Sequence, residues 1–554
     1  MSHFHAAADL RPRWTRDAES SCADRADVSR YLSRLFLPLR RERGVLVVAL
    51  ADSSAENRSW LEAAYGSIRF VEISRTELLD EVGRRFETVL IDEAIFTLAR
   101  ERPELSARRI VSGGQIAGLL IFAMVALAGL YFRPFIALAV FAMAMTALFV
   151  SGTLFRAFLS WLGGLPRDEV QHAAKSDDPT LPVYSILVPL YREAEIVPDL
   201  LRALLAIDYP QDKLDCKIIV EADDAETLAA FDELKGLHPF DIVRVPACLP
   251  RTKPKAVNFA LRYARGDYLV IYDAEDRPEP DQLLKAVAAF RNLPRAVACL
   301  QARLAFHNRD RWLTKSFAID YFTWFGSLLP GLERLGVPIP LGGTSNHFRT
   351  AVLREIGAWD PFNVTEDADI GLRLAQLGYR TTMLDSTTWE EAPERIDIWI
   401  KQRSRWLKGY MQTWLVHSRS ARSLVKHVGL GGFLAFQLFI GGAVLSALVN
   451  PILWVIFGMS CVLPISIFGD FPGNTLGYVS AAGALGSNGV LTYLAVAGPA
   501  RGGEGRLAPY GLTVSIYWLL ISVAAYRGLW QLITKPFHWE KTAHGLNSSS
   551  GGHA

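Results

Sequence analysis

Long runs without a charged residue constrain the fold of this 554-residue chain more than any other feature. A helix needs about 20 apolar residues to cross the hydrocarbon core of a bilayer. Five runs reach that length without one Asp, Glu, Lys or Arg: residues 110–132, 134–155, 428–469, 471–500 and 507–526. Buried helices of soluble proteins seldom lack charge over such lengths, so the pattern predicts a membrane protein.

The run at 428–469 is long enough for two crossings, and Asn450-Pro451 is the predicted break between them. We therefore expect six crossings, two before a large polar block and four after it. Cytoplasmic loops are enriched in Lys and Arg, and Arg108 and Arg109 precede the first run while Arg156 and Arg167 follow the second. The N-terminus and the polar block are thus expected in the cytoplasm. The loop with Arg501 and Arg506 would then lie outside, against the same rule.

Composition excludes several classes of protein. The 59 Lys and Arg residues nearly balance the 57 Asp and Glu residues, which leaves a net charge of +2. That balance gives no basic footprint for nucleic acid. The five cysteines are scattered and form no C-x-x-C pair, so neither a disulfide framework nor a zinc site is expected.

The polar block alternates strand-like and helix-like segments. Continuous apolar stretches at 183–189, 216–220, 241–245 and 267–272 are typical of buried strands, and residues 196–205 and 255–265 are expected to be helical. Buried strands that alternate with helices predict a mostly parallel sheet covered on both faces. In such sheets ligands bind beyond the carboxyl ends of the strands.

Acidic residues cluster at two of these strand ends. The clusters are Glu221, Asp223 and Asp224 after the second strand, and Asp273, Glu275 and Asp276 after the fourth. Carboxylates this close repel one another unless a cation or hydrogen bonds compensate. A divalent cation that also binds substrate phosphates is expected, with Lys253 and Lys255 near enough to meet phosphate. For one cluster alone, a solvated acidic turn is the better interpretation.

Short motifs follow one another in order through the block: Val188-Pro-Leu-Tyr-Arg-Glu193, Asp223, Lys253 five residues before Asn258, Asp273-Ala-Glu275, Gly342-Gly-Thr-Ser-Asn346, Thr365-Glu-Asp367 and Gln402-Arg-Ser-Arg-Trp406. Over residues 183–410 they resemble the family-2 glycosyltransferases of the GT-A fold. Within that family they resemble the membrane-embedded processive synthases such as bacterial cellulose synthase.

The resemblance assigns a donor site. It implies that Tyr191 and Glu193 surround the nucleobase, and that Asp223, with Asp224 beside it, contacts uracil. Lys253 matches the lysine that meets the diphosphate. Asp273 and Glu275 occupy the D-x-D metal site for Mg²⁺ or Mn²⁺, with glutamate as the second acid.

The resemblance also assigns an acceptor site. Asp367 matches the general base of the T-E-D motif and Glu366 its neighbour, while Gln402, Arg405 and Trp406 would line the acceptor site at the channel entrance. Gly343 and Thr344 occupy the place of the F-x-C-G-S acceptor segment but diverge from it, which leaves sugar and linkage open. Two structural interpretations compete: Thr365 as a helix N-cap, and 396–417 as an interfacial amphipathic helix.

The implied activity is that of an inverting, processive hexosyltransferase in the bacterial inner membrane. It would polymerise a β-linked polysaccharide, expected to be a β-glucan, from a UDP-sugar, expected to be UDP-glucose with N-acetylglucosamine as the other candidate sugar. Export would run through its own helices, and periplasmic or outer-membrane export components are the expected partners. The alternatives are a non-processive transferase that acts on a lipid-linked acceptor, and a transporter or receptor with a degenerate sugar-nucleotide domain.

The predicted domain order has seven parts: a polar tail (1–35), a small α/β domain (36–109), two crossings (110–157), the GT-A domain (175–400), interfacial helices (401–427), about four crossings (428–526) and a cytosolic juxtamembrane segment with a tail (527–554). The small domain faintly resembles the N-terminal domain of type II secretion ATPases, which implies regulation or docking; plain stabilisation is the alternative. Residues 530–545 are read as a basic-aromatic juxtamembrane segment, or else as a gate over the active site.

Overall fold

The computed structural model describes residues 22–166, 173–234, 240–462 and 473–540. The first part of the predicted polar tail, Arg167, the start of the run at 471–500 and the chain after Glu540 lie outside these ranges. Internal contacts divide the chain into two compact units. One comprises residues up to Ala94 together with Asn258–Arg265, and the other comprises the rest.

The first unit is a small α/β module. Its elements are α1 (Val28–Arg34), β1 (Phe36–Glu42), β2 (Val45–Leu50), α2 (Ala55–Tyr65), β3 (Ile68–Glu72), α3 (Arg75–Arg85) and the start of α4 (Glu87–Glu101). Strand β2 pairs antiparallel with β1 and parallel with β3. The alternation of strands and helices within the predicted domain 36–109 is present, but the unit ends at Ala94, and it includes residues from 258–265.

The second unit contains the larger sheet. Its strands are β4 (Tyr184–Leu190), β5 (Leu214–Glu221), β6 (Asp241–Val245), β7 (Tyr268–Ile271), β8 (Arg277–Pro278), β9 (Val297–Phe306), β10 (Asn346–Arg349) and β11 (Arg380–Glu390). The remaining helices of the chain are α5 (Gly113–Phe132), α6 (Pro134–Gly163), α7 (Val197–Leu205), α8 (Ala225–Glu233), α9 (Lys253–Leu261), α10 (Gln282–Asn292), α11 (Trp312–Thr323), α12 (Leu329–Leu335), α13 (Thr350–Glu355), α14 (Glu366–Gln376), α15 (Ile396–His417), α16 (Ala421–Phe436), α17 (Gly442–Val462), α18 (Gly473–Arg501) and α19 (Val514–Thr534).

The order of the larger sheet is β6-β5-β4-β7-β10-β9-β11-β8 within the described ranges. Strands β4 to β7 pair in parallel, as their continuous apolar sequences predict, and β10 runs antiparallel between β7 and β9. Side chains such as Ile186, Ile218 and Val270 are buried in its core. The carboxyl ends of β4, β5 and β7 therefore open on one edge, where both acidic clusters lie.

Five helical stretches of the described chain are long and apolar enough to cross a membrane: Gly113–Phe132, Pro134–Gly163, Ile396–Val455, Tyr478–Arg501 and Gly505–Thr534. The predicted break at Asn450-Pro451 is wrong, because α17 continues through both residues. Proline costs a helix one hydrogen bond, and membrane helices tolerate this where neighbouring groups satisfy the freed carbonyl. The run at 428–469 therefore supplies one candidate crossing and not two, which leaves five candidates where six were predicted. A break does occur earlier, at Gly429, whose φ of 74° is not helical.

Helix α19 lies against α15. The Tyr517 hydroxyl accepts hydrogen bonds from Arg403 Nη2 at 2.8 Å and Trp399 Nε1 at 3.3 Å. Further along, a Cβ at Gly528 would lie 2.8 Å from the Ser404 carbonyl oxygen. The last apolar helix is therefore tied along its length to the helix that carries the Gln402-to-Trp406 motif.

A glycine contact joins α6 to α12, so we predict that Gly331→Ala destabilises the protein. A Cβ at Gly331 would lie 2.3 Å from the Leu159 carbonyl oxygen, and backbone cannot move aside as a flexible side chain can. The expected loss is about 1–3 kcal/mol of unfolding free energy, the usual cost of overpacking, measured as a lower melting temperature in detergent. The matched control is Gly326→Ala, where a Cβ meets nothing within 4 Å. Equal melting temperatures for the two variants would contradict the prediction.

Candidate active site

One cavity of about 1060 Å³ begins at the carboxyl edge of the larger sheet and continues between apolar helices. Its sheet end is lined by Pro189 and Leu190 of β4 and by the turn after β7. Its other end is lined by side chains of the apolar helices: Phe149 of α6, Asn450 of α17, Leu494 of α18 and Ser522 of α19. A polar site and a path between helices thus form one space.

The first acidic cluster is neutralised by its neighbours. Glu221 pairs with the buried Lys255 at 2.8 Å, and Asp223 pairs with Arg251 at 2.6 Å. Asp224 is buried and caps α8, where it accepts hydrogen bonds from the Arg192 and Thr227 amides. The cluster therefore lacks the excess charge that would favour a cation. Two expectations are corrected: Lys255 does not line the cavity, and Asp224 is a cap outside it.

Tyr191, Glu193 and Arg251 line the end of the cavity nearest β4. Arg251 Nη1 donates to the Tyr191 hydroxyl at 3.2 Å while Nη2 pairs with Asp223. Asp223 thus reaches the cavity through Arg251 and does not itself line it. Arg251 belongs to none of the predicted motifs, although it lies only two residues before Lys253.

The second acidic cluster keeps its excess charge. Asp273 and Glu275 line the cavity, and Lys253 Nζ contacts Asp273 and donates to the Gly343 carbonyl at 2.8 Å. Burial lowers the pKa of Lys253, but the charges of Asp273 and Glu366 outweigh it and leave that pKa above its ordinary value. Burial, then repulsion from Asp273 and Glu275, raises the pKa of Asp276 well above its usual range.

This turn fits a divalent cation. Asp276 Oδ1 is buried with no hydrogen-bond partner, and the Thr344 hydroxyl contacts Asp276 from the other side. No three acidic, histidine or cysteine side chains of the described chain converge as a complete metal site. A cation would therefore be held by Asp273 and Glu275 and would need phosphate oxygens to complete its shell.

The predicted base lies at the start of α14. Asp367 Oδ1 accepts from the Ala368 amide at 2.7 Å, and a Cβ at Gly343 would lie 3.2 Å from Asp367 Oδ2. Burial raises the pKa of Asp367 to about 6, and burial with the charge of Asp367 raises that of Glu366 to about 8. Thr365 occupies the N-cap position but makes no side-chain capping bond, so the N-cap interpretation holds for position only.

Helix α15 carries Gln402, Arg405 and Trp406 into the cavity and has the predicted bounds. Trp406 is part of an aromatic wall, which comprises Phe317, Tyr321, Trp324, Trp406 and Tyr410. Ring centroids of Trp406 and Tyr321 are 6.1 Å apart, and those of Trp324 and Tyr410 are 6.4 Å apart and nearly parallel. Such faces suit the apolar side of a sugar ring. Apart from Trp406, sequence analysis did not single out this wall.

The segment after α19 returns to the cavity. Lys408 Nζ donates to the His538 carbonyl at 2.8 Å, and Gln412 Nε2 donates to the Pro536 carbonyl at 3.2 Å. The Arg405 guanidinium lies 4.5 Å from the Trp539 ring centroid. Residues Phe537, His538 and Trp539 line the cavity. Of the two interpretations of residues 530–545, a plain juxtamembrane segment does not account for this position.

Comparison with known proteins agrees with this geometry. Residues 182–409 match the family model described as "Glycosyltransferase like family 2". This part of the chain is similar to the family-2 glycosyltransferases. The match begins two residues before β4 and ends within α15.

Two curated relatives match this domain. "Probable glycosyltransferase YdaM" of Bacillus subtilis is 25% identical over 232 residues, which are 41% of this chain and 55% of that protein. "Poly-beta-1,6-N-acetyl-D-glucosamine synthase" of Staphylococcus epidermidis is 25% identical over 236 residues, which are 42% of this chain and 56% of that protein. The chain spans about half the length of these relatives. The domain is therefore related to enzymes that make β-linked polysaccharides.

Among solved structures, a mannosyltransferase from Pyrobaculum calidifontis in complex with GDP-Man and Mn²⁺ is 20% identical. The match covers 72% of this chain and 99% of that one, with a TM-score of 0.47.

Because Lys408 holds two carbonyls of the returning segment, we predict that Lys408→Met loosens it. Amide hydrogen exchange in Lys535–Glu540 is expected to become about tenfold faster, since charge-assisted hydrogen bonds are lost. Mass spectrometry of the full chain in detergent measures this directly. Lys426→Met, at an exposed position on α16, serves as the control and is expected to leave the segment unchanged. Unaltered exchange in Lys408→Met would contradict the prediction.

Proposed function

We propose that the protein is a membrane-embedded, metal-dependent, inverting glycosyltransferase that polymerises a β-linked polysaccharide from a UDP-hexose. One observation carries this proposal: a single cavity joins Lys253, Asp273, Glu275 and Asp367 to the aromatic wall and continues between apolar helices. A soluble transferase has no need of such a continuation. A non-catalytic sugar-binding domain would not require Asp367 together with the acidic pair Asp273 and Glu275.

The donor end of the cavity suits a nucleoside diphosphate sugar. Tyr191 and Arg251 offer a ring and a guanidinium to the nucleobase, and Lys253 brings a positive charge to the diphosphate. Asp273 and Glu275 would hold Mg²⁺ or Mn²⁺, which when bound neutralises charge on the departing diphosphate. Asp273 and Glu275 repel the carboxyl group of Asp276, and a bound cation would relieve this repulsion, which supports a cation at this turn.

The reaction then needs one proton transfer and one displacement. Asp367 takes the proton of the acceptor hydroxyl, whose oxygen attacks C1 of the donor hexose while the bond from C1 to the phosphate oxygen breaks. UDP leaves with the bonding electrons, and the proton stays on Asp367 until solvent removes it. A single displacement inverts the anomeric carbon, so an α-linked donor yields a β-linkage. Positioned proton abstraction of this kind contributes about 10²–10⁴-fold.

The acceptor end suits a growing glycan. The aromatic wall offers stacking faces, and Gln402 and Arg405 offer hydrogen-bond donors beside it. The space beyond is bounded by α6, α17 and α18, with α19 at its entrance, which supports export of the polymer between the first three helices. The resemblance to cellulose synthase favours UDP-glucose as the donor, and the similarity to the staphylococcal poly-β-1,6-N-acetyl-D-glucosamine synthase favours UDP-N-acetylglucosamine.

We assign four membrane crossings: α5, α6, residues 430–462 and α18. If α19 were a fifth crossing, residues 535–539 would lie across the membrane from Lys408 and Arg405, which they contact. Helix α19 therefore lies along α15 on the side of the glycosyltransferase domain. The loop with Arg501 and Arg506 then lies on that side as well, which removes the conflict with the basic bias of cytoplasmic loops. A bacterial inner membrane with the domain in the cytoplasm fits this arrangement, and periplasmic export components are its expected partners.

A product assay tests the function. The full chain in detergent or nanodiscs is incubated with radiolabelled UDP-glucose or UDP-N-acetylglucosamine and Mn²⁺ or Mg²⁺, with an EDTA control. A long polymer supports the proposal, and its linkage identifies the product. One sugar added to a lipid supports the non-processive alternative, and no transfer from any nucleotide sugar favours a non-catalytic sugar-nucleotide domain.

We predict that Asp367→Asn abolishes transfer and preserves UDP binding. The amide has nearly the same shape but cannot take the acceptor proton, so turnover should fall by about 10²–10⁴-fold. Calorimetric binding of UDP with Mn²⁺ checks that the donor site is intact. Asp310→Asn, at an exposed position after β9, is the matched control. Transfer at the wild-type rate by Asp367→Asn would refute the base assignment.

The same base predicts a pH dependence. Burial raises the pKa of Asp367 to about 6, and only the ionised carboxylate can accept a proton. The ratio kcat/KM should therefore reach its maximum above that pKa and fall about tenfold per pH unit below it. Initial rates between pH 5 and pH 8 measure the profile. A flat profile across that range would show that another group takes the proton.

A further inference from the structure

Glu390 lies beside the acidic turn without belonging to any of the predicted motifs. It is the last residue of β11, whose antiparallel pairing with β8 places Thr388 opposite Pro278 and Trp389 opposite Arg277. Extending this register by one residue, just beyond the end of β8, would bring Glu390 opposite Asp276. Residues directly opposite in an antiparallel pair have side chains on the same face. The register therefore directs Glu390 toward the side of the strands where Asp276 lies.

The Glu390 side chain has an unmet hydrogen-bonding capacity. It lines the cavity, and its Oε1 is buried with no partner in the described chain. Glu394, four residues later, instead pairs with Arg311 at 3.3 Å and does not line the cavity. A buried carboxylate oxygen without a donor is costly, and a ligand that supplies a donor removes that cost.

The surroundings of Glu390 identify the part of the substrate nearest to it. Burial, then the charges of Asp276, Asp273 and Glu275, raises its pKa well above the usual range, and a cation held by Asp273 and Glu275 would offset that repulsion and favour the ionised carboxylate. On the other side, β11 pairs with β9, where Glu390 lies opposite Phe306, and the ring centroid of Phe306 is 4.6 Å from that of Tyr321 in the aromatic wall. Glu390 therefore lies between the acids that would hold the cation and the wall that would hold the acceptor. In a sugar transfer, that interval is occupied by the hexose being transferred.

The chemistry of the donor leads to the same assignment. Phosphate oxygens accept hydrogen bonds and cannot satisfy a carboxylate, and the nucleobase end of the cavity lies at Tyr191 and Arg251. Hexose hydroxyl groups are hydrogen-bond donors. They stand on neighbouring ring carbons, so one carboxylate can accept hydrogen bonds from two of them. We propose that the Glu390 carboxylate accepts hydrogen bonds from hydroxyl groups of the transferred hexose and thereby selects the donor sugar. This inference rests on the proposed function and assigns a specificity residue to it.

Binding measurements test the inference without turnover. Full-length protein in detergent is titrated calorimetrically with UDP, with UDP-glucose and with UDP-N-acetylglucosamine, each with Mn²⁺. In Glu390→Gln the affinity for the preferred UDP-hexose should fall about tenfold or more, the usual loss for a hydrogen bond to a charged group, while UDP affinity stays unchanged. Glu394→Gln removes a carboxylate from the same segment outside the cavity and should change neither. An equal loss for UDP and UDP-hexose would overturn the inference, because Glu390 would then act on the cation or the diphosphate.

Deoxy donors provide a second test that does not depend on how Glu390→Gln affects the surrounding structure. UDP-hexoses that lack one hydroxyl at C3, C4 or C6 are compared on both proteins. Removal of at least one hydroxyl should weaken binding to the wild-type protein about tenfold. The same removal should not weaken binding to Glu390→Gln any further, because the carboxylate that accepts this hydrogen bond is already absent. Equal losses in both proteins for every analogue would overturn the inference. Wild-type protein that binds no UDP-hexose at all would overturn the proposed function, and this inference with it.

Discussion

The contact between α14 and α15 is the constraint on which the site depends. Helix α14 starts with the predicted base, and α15 carries the acceptor motif, so their packing sets the distance between proton acceptor and acceptor sugar. A Cβ at Gly409 would lie 2.2 Å from Thr365 Oγ1, so only glycine allows this approach. Asp369 then joins the two helices at depth: it pairs with Arg373 of its own helix and with His417 of α15 at 2.8 Å. Burial opposes ionisation there, but Arg373 and His417 keep the pKa of Asp369 below its usual value.

The buried acids of the second unit fall into two groups, those with a basic partner and those without enough neighbouring positive charge. Acids with structural roles have fixed partners: Glu221 has Lys255, Asp369 has Arg373, and Asp320 has Arg403 at 2.7 Å. Near Lys253 the acids are different: burial and mutual repulsion raise the pKa values of Glu366 and Glu390, which line the cavity, and of the buried Asp276 beside them. Buried acidic groups with raised pKa values that cluster in one place are typical of sites where ligands supply positive charge and hydrogen-bond donors. The unsatisfied atoms therefore mark the site as clearly as the motifs do.

Much of this was predictable because it rests on local signals. Apolar runs predicted the parallel strands, and the aromatic and basic pattern of 396–417 predicted α15 to the residue. The failures share a physical cause, since each depended on a partner distant in sequence. Lys255 lies two residues after Lys253, yet the direction of its side chain is set by Glu221, 34 residues earlier. Asp224 accepts a hydrogen bond from the Arg192 amide, 32 residues earlier, and Arg251 donates to the Tyr191 hydroxyl, 60 residues earlier. The return of residues 535–539 to the cavity depends on carbonyl acceptors, which no side-chain pattern reveals.

The two ends of the cavity differ in the kind of contact they offer, and this difference suits a processive reaction. Hydrogen bonds at the donor end are directional, so the hexose is held in one orientation while the bond at C1 changes. The aromatic wall at the acceptor end makes contacts that depend on area and only weakly on rotation about the ring normal. A glycan held by stacking can advance by one residue without breaking a set of directional bonds at once. In the proposed processive reaction the new terminal hydroxyl would have to return to Asp367 after each transfer, and weakly directional contacts beyond it would allow that step.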